Sequence, residues 1–567
     1  MDGRVYEYGA KPPTAGGERV WEQSRLAHRY RNRLCELELA RRAAAEQVLR
    51  SHCPDLAEMH ARVDALAAEL EACRDRIRGD NQRIRGRAAS PDRDRAAQLK
   101  ADLRDARAAL KIRRAEAWAD GSLRADLDAV DNAHVAEVKT ARAASGLYWG
   151  NYLRIEQAAA SMRKGAPPIY HRFTGKACAT VQIQGGMSLA DALAGSDPRF
   201  RLEPWQPSGP IAADPQSRRS GRGGWMLAHV RIGSTGRRRQ PTWTTAPVRL
   251  HRLPPADAQI KWVHLRSRRI GTRQVWRLQL VLASAGGFAP ADRAATGCVG
   301  VDLGWRLLED GSLRVAYWVG SDGAEGQLAL SAYDLQRWDK AEQLRSIRDR
   351  AFDDIRGRLL AWLAVAKDVP DWLRERTATL PLWRSCGRLA AVALAWRDAR
   401  FAGDEEEYAA VEAWRAQDRH LYDWEASQIA KAMAWRTDLY RRFAATLSRR
   451  YATVALEDID YKNLGRRPAA ESKDVVYASR HRQLASPGKL ADALRQRFAA
   501  RADVPAMNTT RRCHSCGHIE SFDAAAELVH TCGGCGAEWD QDASAARNLL
   551  ASASGEVVDD LPGVARE

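Results

Sequence analysis

Four cysteines toward the C-terminal end constrain this chain most. Cys513 and Cys516 precede Cys532 and Cys535 with CxxC-x15-CxxC spacing. Chance seldom produces two such pairs so close together, and four thiolates joined by a hairpin-sized interval suit a tetrahedral all-cysteine Zn2+ site. Saturated ligation makes such a zinc structural, with no position left for a reactive water. Two separate redox CxxC pairs are the competing interpretation. His514, His518 and His530 lie nearby but are not needed as ligands. The other six cysteines, Cys35, Cys53, Cys73, Cys178, Cys298 and Cys386, are scattered singly. With no secretory signal, they read as reduced thiols and not as a disulfide scaffold.

Charge bounds the partner. Lys and Arg number 89 against 72 acidic residues, a net charge of +17, which points to a polyanion. The alternative is a basic protein from an arginine-rich proteome. No run of about 18 apolar residues is present, so neither a membrane span nor a membrane partner is expected. The length of 567 residues with 45% hydrophobic content suits several soluble domains.

Texture divides the chain. Residues 1–19 open with a short strand. Residues 20–142 read as long amphipathic helices rich in Ala, Leu, Arg and Glu, broken by SPDRDR near Ser90. From Gly146, short strand-like runs alternate with Gly, Pro and Ser turns, giving a β-rich domain over 143–290. Between Ser217 and Arg239 lie seven arginines and no carboxylate, interrupted by Trp225. Arg218, Arg219, Arg222, Arg237, Arg238 and Arg239 therefore read as nucleic-acid backbone contacts, with a solvated loop as the alternative. IKWVHLRSR and RQVWRLQLVLA form an expected hairpin turning at Ile270–Thr272. An α/β core follows over 291–505, carrying a helical insertion at 335–449.

Three places carry acidic chemistry. In CVGVDLGWR an apolar strand delivers Asp302 close to a glycine. In YATVALEDIDYKNL a second apolar strand ends in Glu457 and Asp458. In EWDQDASAARNLL, Asp540 and Asp542 open an Ala-rich helix, where an aspartate is ordinarily a cap. If the two strands are neighbours and this helix starts beside them, their carboxylates can share a divalent metal.

The order GVDLG, LEDID, VPAMNTTRRCHSCG, CxxC and DQDASAARNL resembles the RuvC motifs and zinc ribbon of TnpB nucleases and the compact type V CRISPR effectors. The match runs from about Cys298 to Leu550. It implies a multidomain α+β chain: an RNase H-like RuvC domain with an inserted zinc ribbon at 506–538, RuvC motif III at 539–552 and a tail at 553–567. Residues 20–142 become a helical recognition lobe, and 143–290 with the first strand a β-barrel-like wedge domain.

By that resemblance Asp302, Glu457 and Asp542 correspond to a catalytic triad holding Mg2+, with Asp540 as the fallback for the third. Where the family often has asparagine two residues after the last aspartate, this chain has Ser544. The implied partners are a CRISPR guide RNA and target double-stranded DNA in a prokaryotic cytoplasm, with one protein copy per guide. The stretch DRHLYDWEASQIAKAMAWRTDLYRRFAATLSRRY, with RRIGTRQVWRL, looks most like a small branch in which target binding without efficient cutting is known. Two functions stay open: a guided RuvC endonuclease serving antiviral defence, and a guided DNA-binding silencer whose RuvC site acts, if at all, on guide precursor. A guide-free zinc-ribbon RNA-binding protein is a third.

Overall fold

A computed structural model describes residues 4–83, 91–119, 121–163, 166–205, 224–235, 240–255, 257–283, 293–459, 473–506, 508–522 and 527–554. Its contacts divide the chain into two compact units, Met1–Arg269 with Gln274–Phe288, and Ile270–Arg273 with Ala289–Glu567.

The first unit begins with strand β1 (Arg4–Ala10) and helices α1 (Gly17–His52), α2 (Pro54–Arg83), α3 (Pro91–Trp118), α4 (Gly121–Ala144) and α5 (Trp149–Arg163). It continues as β2 (Cys178–Met187), α6 (Leu189–Ala194), β3 (Phe200–Pro204), β4 (Gly224–Thr235), β5 (Gln240–Leu250), β6 (Gln259–Ile270) and β7 (Arg273–Ala283). All seven strands form one sheet ordered β2-β6-β7-β1-β5-β4-β3, antiparallel throughout. Alternate apolar residues from every strand, among them Tyr8, Val181, Leu202, Val230, Val248, Val263 and Leu280, meet in one core. A single sheet buries one face against itself only by curling. The hairpin turns at Gly271–Thr272 as expected, and Arg266, Arg268 and Arg269 stand exposed along β6.

The texture change at Gly146 misplaced one element. Residues 149–163 form helix α5, whose Ile155 packs with Tyr30, Leu34 and Leu37 of α1, so the helical region runs beyond Arg142. The glycines of GLYWGNYL resemble turn punctuation, yet Gly150 is needed for close approach. A Cβ there would lie 2.6 Å from the Thr180 carbonyl oxygen of β2. The six arginines at 218, 219, 222, 237, 238 and 239 fall outside the described residues.

The second unit starts with β8 (Cys298–Leu307), β9 (Leu313–Gly320) and β10 (Glu325–Leu330), then α7 (Ala332–Val365), α8 (Asp371–Thr377), α9 (Cys386–Asp398) and α10 (Glu405–Arg450). There follow β11 (Thr453–Glu457), α11 (Lys473–Ala485), α12 (Pro487–Arg497), β12 (Ala500–Val504), β13 (Val529–Thr531), β14 (Glu538–Asp540) and α13 (Gln541–Ser554). Five strands are ordered β10-β9-β8-β11-β12. The first three pair antiparallel, and β11 runs parallel to both β8 and β12.

One face of this sheet presents Val299, Val301 and Leu456 to apolar residues of α10 and α12. The other takes α13, whose Leu549 packs on Ala455 and Val504. Helices α7 and α10 are joined by buried charges: Arg348 reaches Asp418 at 2.8 Å and Glu425 at 2.8 Å. Their far ends, with α8 and α9, close on a second core around Trp383, Trp396 and Trp414.

Candidate metal and carboxylate site

Strand register brings the acids together. Thr453 and Ala455 of β11 lie beside Cys298 and Gly300 of β8, so continuing that register by two residues sets Glu457 abreast of Asp302. Neighbouring strands are about 4.8 Å apart, and both acids share a face because side chains alternate. That face is the one α13 covers. At Gly300, two residues before Asp302, a Cβ would fall 2.1 Å from the Ala546 carbonyl oxygen. Glycine is thus what lets α13 lie against β8 and present its first turn, with Asp542, to the strand acids.

The helix start separates the two aspartates. Asp540 acts as the cap, its Oδ1 accepting from the backbone N–H of Asp542 at 2.9 Å and of Ala543 at 3.3 Å. Asp542, one residue inside the helix, is the acid whose charge bears most on Asp302. Asp458 is exposed.

These acids are costly neighbours. Burial, then the charges of Asp542, Glu457 and Asp540, push the Asp302 carboxyl well above the usual range. Burial likewise raises Glu457, partly offset by the Thr509 hydroxyl donating to its Oε1. Asp542 is raised by burial and by Asp540, against the lowering effect of Arg314 and Arg306.

Arg314, on β9, was not foreseen from sequence. Its Nη1 donates to Asp540 Oδ2 at 2.7 Å and to Asp542 Oδ2 at 3.0 Å, and only 10% of its side chain is exposed. Arg306, opposite it on β8, lies 4.0 Å from Asp542. The site therefore carries a built-in cation next to its third carboxylate. An arginine inside the apolar strand LRVAYWVG was the available signal.

The cysteines form the tighter cluster. Among the described residues they are the one group of His, Cys, Asp and Glu whose ligand atoms all fall within 4.8 Å of one another. Cys513 Sγ is 3.8 Å from Cys535 Sγ, and Cys516 Sγ is 3.6 Å from Cys532 Sγ. Tetrahedral zinc–thiolate bonds of about 2.3 Å would set sulfurs roughly 3.8 Å apart, so the residues fit that ion. The two halves repeat one turn: Gly517 N–H donates to the Cys513 carbonyl at 2.9 Å, and Gly536 N–H to the Cys532 carbonyl at 2.8 Å. Burial opposes ionisation of Cys532, yet the backbone around Gly534 and Cys535 and the adjoining thiols bring it down to about 7.

Residues 497–549, which hold the cysteines, Thr509 and Asp542, match the family model described as "Cas12f1-like, TNB domain". The CRISPR-associated DNA-binding protein Cas12m of Allomeiothermus silvanus is 34% identical over 553 residues, spanning 96% of each chain. The chain belongs to the Cas12m family. This bears out the resemblance to compact type V effectors. A second Cas12m, from Thermanaerosceptrum fracticalcis, is 33% identical across 73% of this chain and 71% of its own. The cryo-EM structure of a Cas12f1–sgRNA–target DNA complex aligns over 97% of this chain and 98% of that one, with 12% identity and a TM-score of 0.38. No described helix is long and apolar enough to cross a membrane.

Proposed function

We propose that this chain is a CRISPR RNA-guided protein that recognises double-stranded DNA by R-loop formation and acts by occupying its target. Base pairing with the guide reads the sequence, while the protein grips backbones and a short flanking motif. Kinship with proteins described as CRISPR-associated DNA-binding supports guided binding, and the net charge of +17 suits two nucleic-acid partners. Exposed Arg266, Arg268 and Arg269 are suited to backbone contact, as are Arg218, Arg219, Arg222, Arg237, Arg238 and Arg239 by their sequence.

The strand order β10-β9-β8-β11-β12 supports reading the second unit as an RNase H-like RuvC domain, with Asp302, Glu457 and Asp542 as the residues that would hold Mg2+. When bound, that ion polarises a phosphate and activates water. The four cysteines would hold a structural Zn2+ that ties the Cys513–Gly517 turn to the Cys532–Gly536 turn. The observation that favours occupancy over cutting is Arg314. Its guanidinium engages the third carboxylate and its capping neighbour, so a metal must compete with a fixed internal cation for Asp542. In-line displacement at two metals needs those oxygens open.

The direct test is a gel shift of guide-loaded protein on duplexes matched or mismatched to the guide. Retention of matched DNA alone, unchanged by Asp302→Ala, supports the reading. Equal retention of both duplexes would replace it with guide-free nucleic-acid binding.

A further inference from the structure

We infer that Thr509 is the positioning residue for Glu457, and that the four-cysteine loop holds it in place. The inference rests on the proposal that the carboxylates hold a metal. Thr509 is buried, 8% exposed, and its Oγ1 donates to Glu457 Oε1. A hydroxyl orients a carboxylate without neutralising it, leaving the negative charge for a cation. An arginine, as at Asp542, spends that charge. Threonine's branched Cβ also restricts χ1, so the donor is held to few directions.

Thr509 is itself held from two sides. The turn opens at Asn508 with φ of 64°, and the Asn508 carbonyl accepts from the N–H of Arg511 at 3.1 Å and of Arg512 at 3.0 Å. Cys513 follows, its N–H donating to the His518 carbonyl at 2.8 Å within the first cysteine turn. On the other side α13 clamps the loop. Asn548 Nδ2 donates to the carbonyls of Thr509 and Arg512, both at 2.9 Å, and Ser544 Oγ to that of Arg512 at 3.1 Å. The loop that leads into the cysteines thus locks onto the helix carrying Asp542 while aiming Glu457. Ser544 takes part in that clamp.

The test uses the full chain with its guide bound and Mn2+ as the probe, read by electron paramagnetic resonance, with zinc measured by mass spectrometry. Thr509→Val should weaken Mn2+ binding about tenfold while zinc content stays unchanged, because misorienting a metal ligand typically costs that much. Thr509→Ser, which keeps the hydroxyl, should restore wild-type binding. In a Glu457→Gln background the valine substitution should cost nothing further. Wild-type affinity in Thr509→Val, or an equal loss with and without Glu457, would overturn the assignment. If wild type and Asp302→Ala hold Mn2+ alike, the carboxylate reading itself is wrong and the inference falls with it.

Discussion

Asp302 concentrates the energetic tension of the second unit. Burial and the charges of Asp542, Glu457 and Asp540 hold its carboxyl above the ordinary range, burial does the same to Glu457, and burial with Asp540 does so to Asp542. A raised folded value means that the native state binds protons more tightly than the unfolded chain. The stability these groups contribute is therefore full below an unfolded value of about 4, and is lost as pH rises from there through the folded values. With divalent ions chelated, Asp302→Asn should raise the melting midpoint of this unit at neutral pH by roughly 2–4 °C. A lower midpoint would mean that Asp302 is better paired than it looks. Glu38 runs the other way. Its side chain is 2% exposed between Arg41 and Arg42, whose hydrogen bonds and charges bring it to about 2. Its contribution is present above about pH 4.3 and lost as pH falls through 2. Glu38→Gln should cost about 2–3 kcal/mol at pH 7, read by urea unfolding of the first unit, and nothing near pH 2.

At the scale of elements, the packing of α13 on β8 decides whether the acids meet. Gly300→Ala would force a methyl into the Ala546 carbonyl, and backbone there cannot yield as a side-chain tip can. The substitution should destabilise the second unit by about 3 kcal/mol in urea unfolding and abolish Mn2+ binding. Intact binding would show that α13 shifts without moving Asp542. The strand acids, the cysteine pairs and the β6–β7 turn were legible in the sequence, because each lies in a short run whose local pattern fixes its place. Helix α5 was not, since Gly150 mimics a turn while serving a close contact with β2. Asp540 and Asp542 both open the helix in sequence, and the N–H bonds to Asp540 show that Asp540 is the one that caps it. Arg314 was hidden for another reason. It lies 228 residues from Asp542 in sequence and reaches it only through the β8–β9 pairing and the placement of α13.

Over the whole molecule, the net charge of +17 falls on the first unit, Met1–Arg269 with Gln274–Phe288, while the second is close to neutral, so the composition places the surface suited to a polyanion on the first unit. Binding of guide-loaded protein to matched DNA should weaken roughly a thousandfold between 50 and 200 mM salt, as expected when about six phosphate contacts release counterions. Salt-insensitive binding would place recognition elsewhere. The most direct measurement of the central claim incubates guide-loaded protein, Mg2+ and matched supercoiled DNA, and follows each strand over hours beside Asp302→Ala. The account predicts saturated, guide-dependent binding with both strands intact in both proteins. Guide-dependent cutting that vanishes in Asp302→Ala would contradict it and make the carboxylate site a working nuclease despite Arg314.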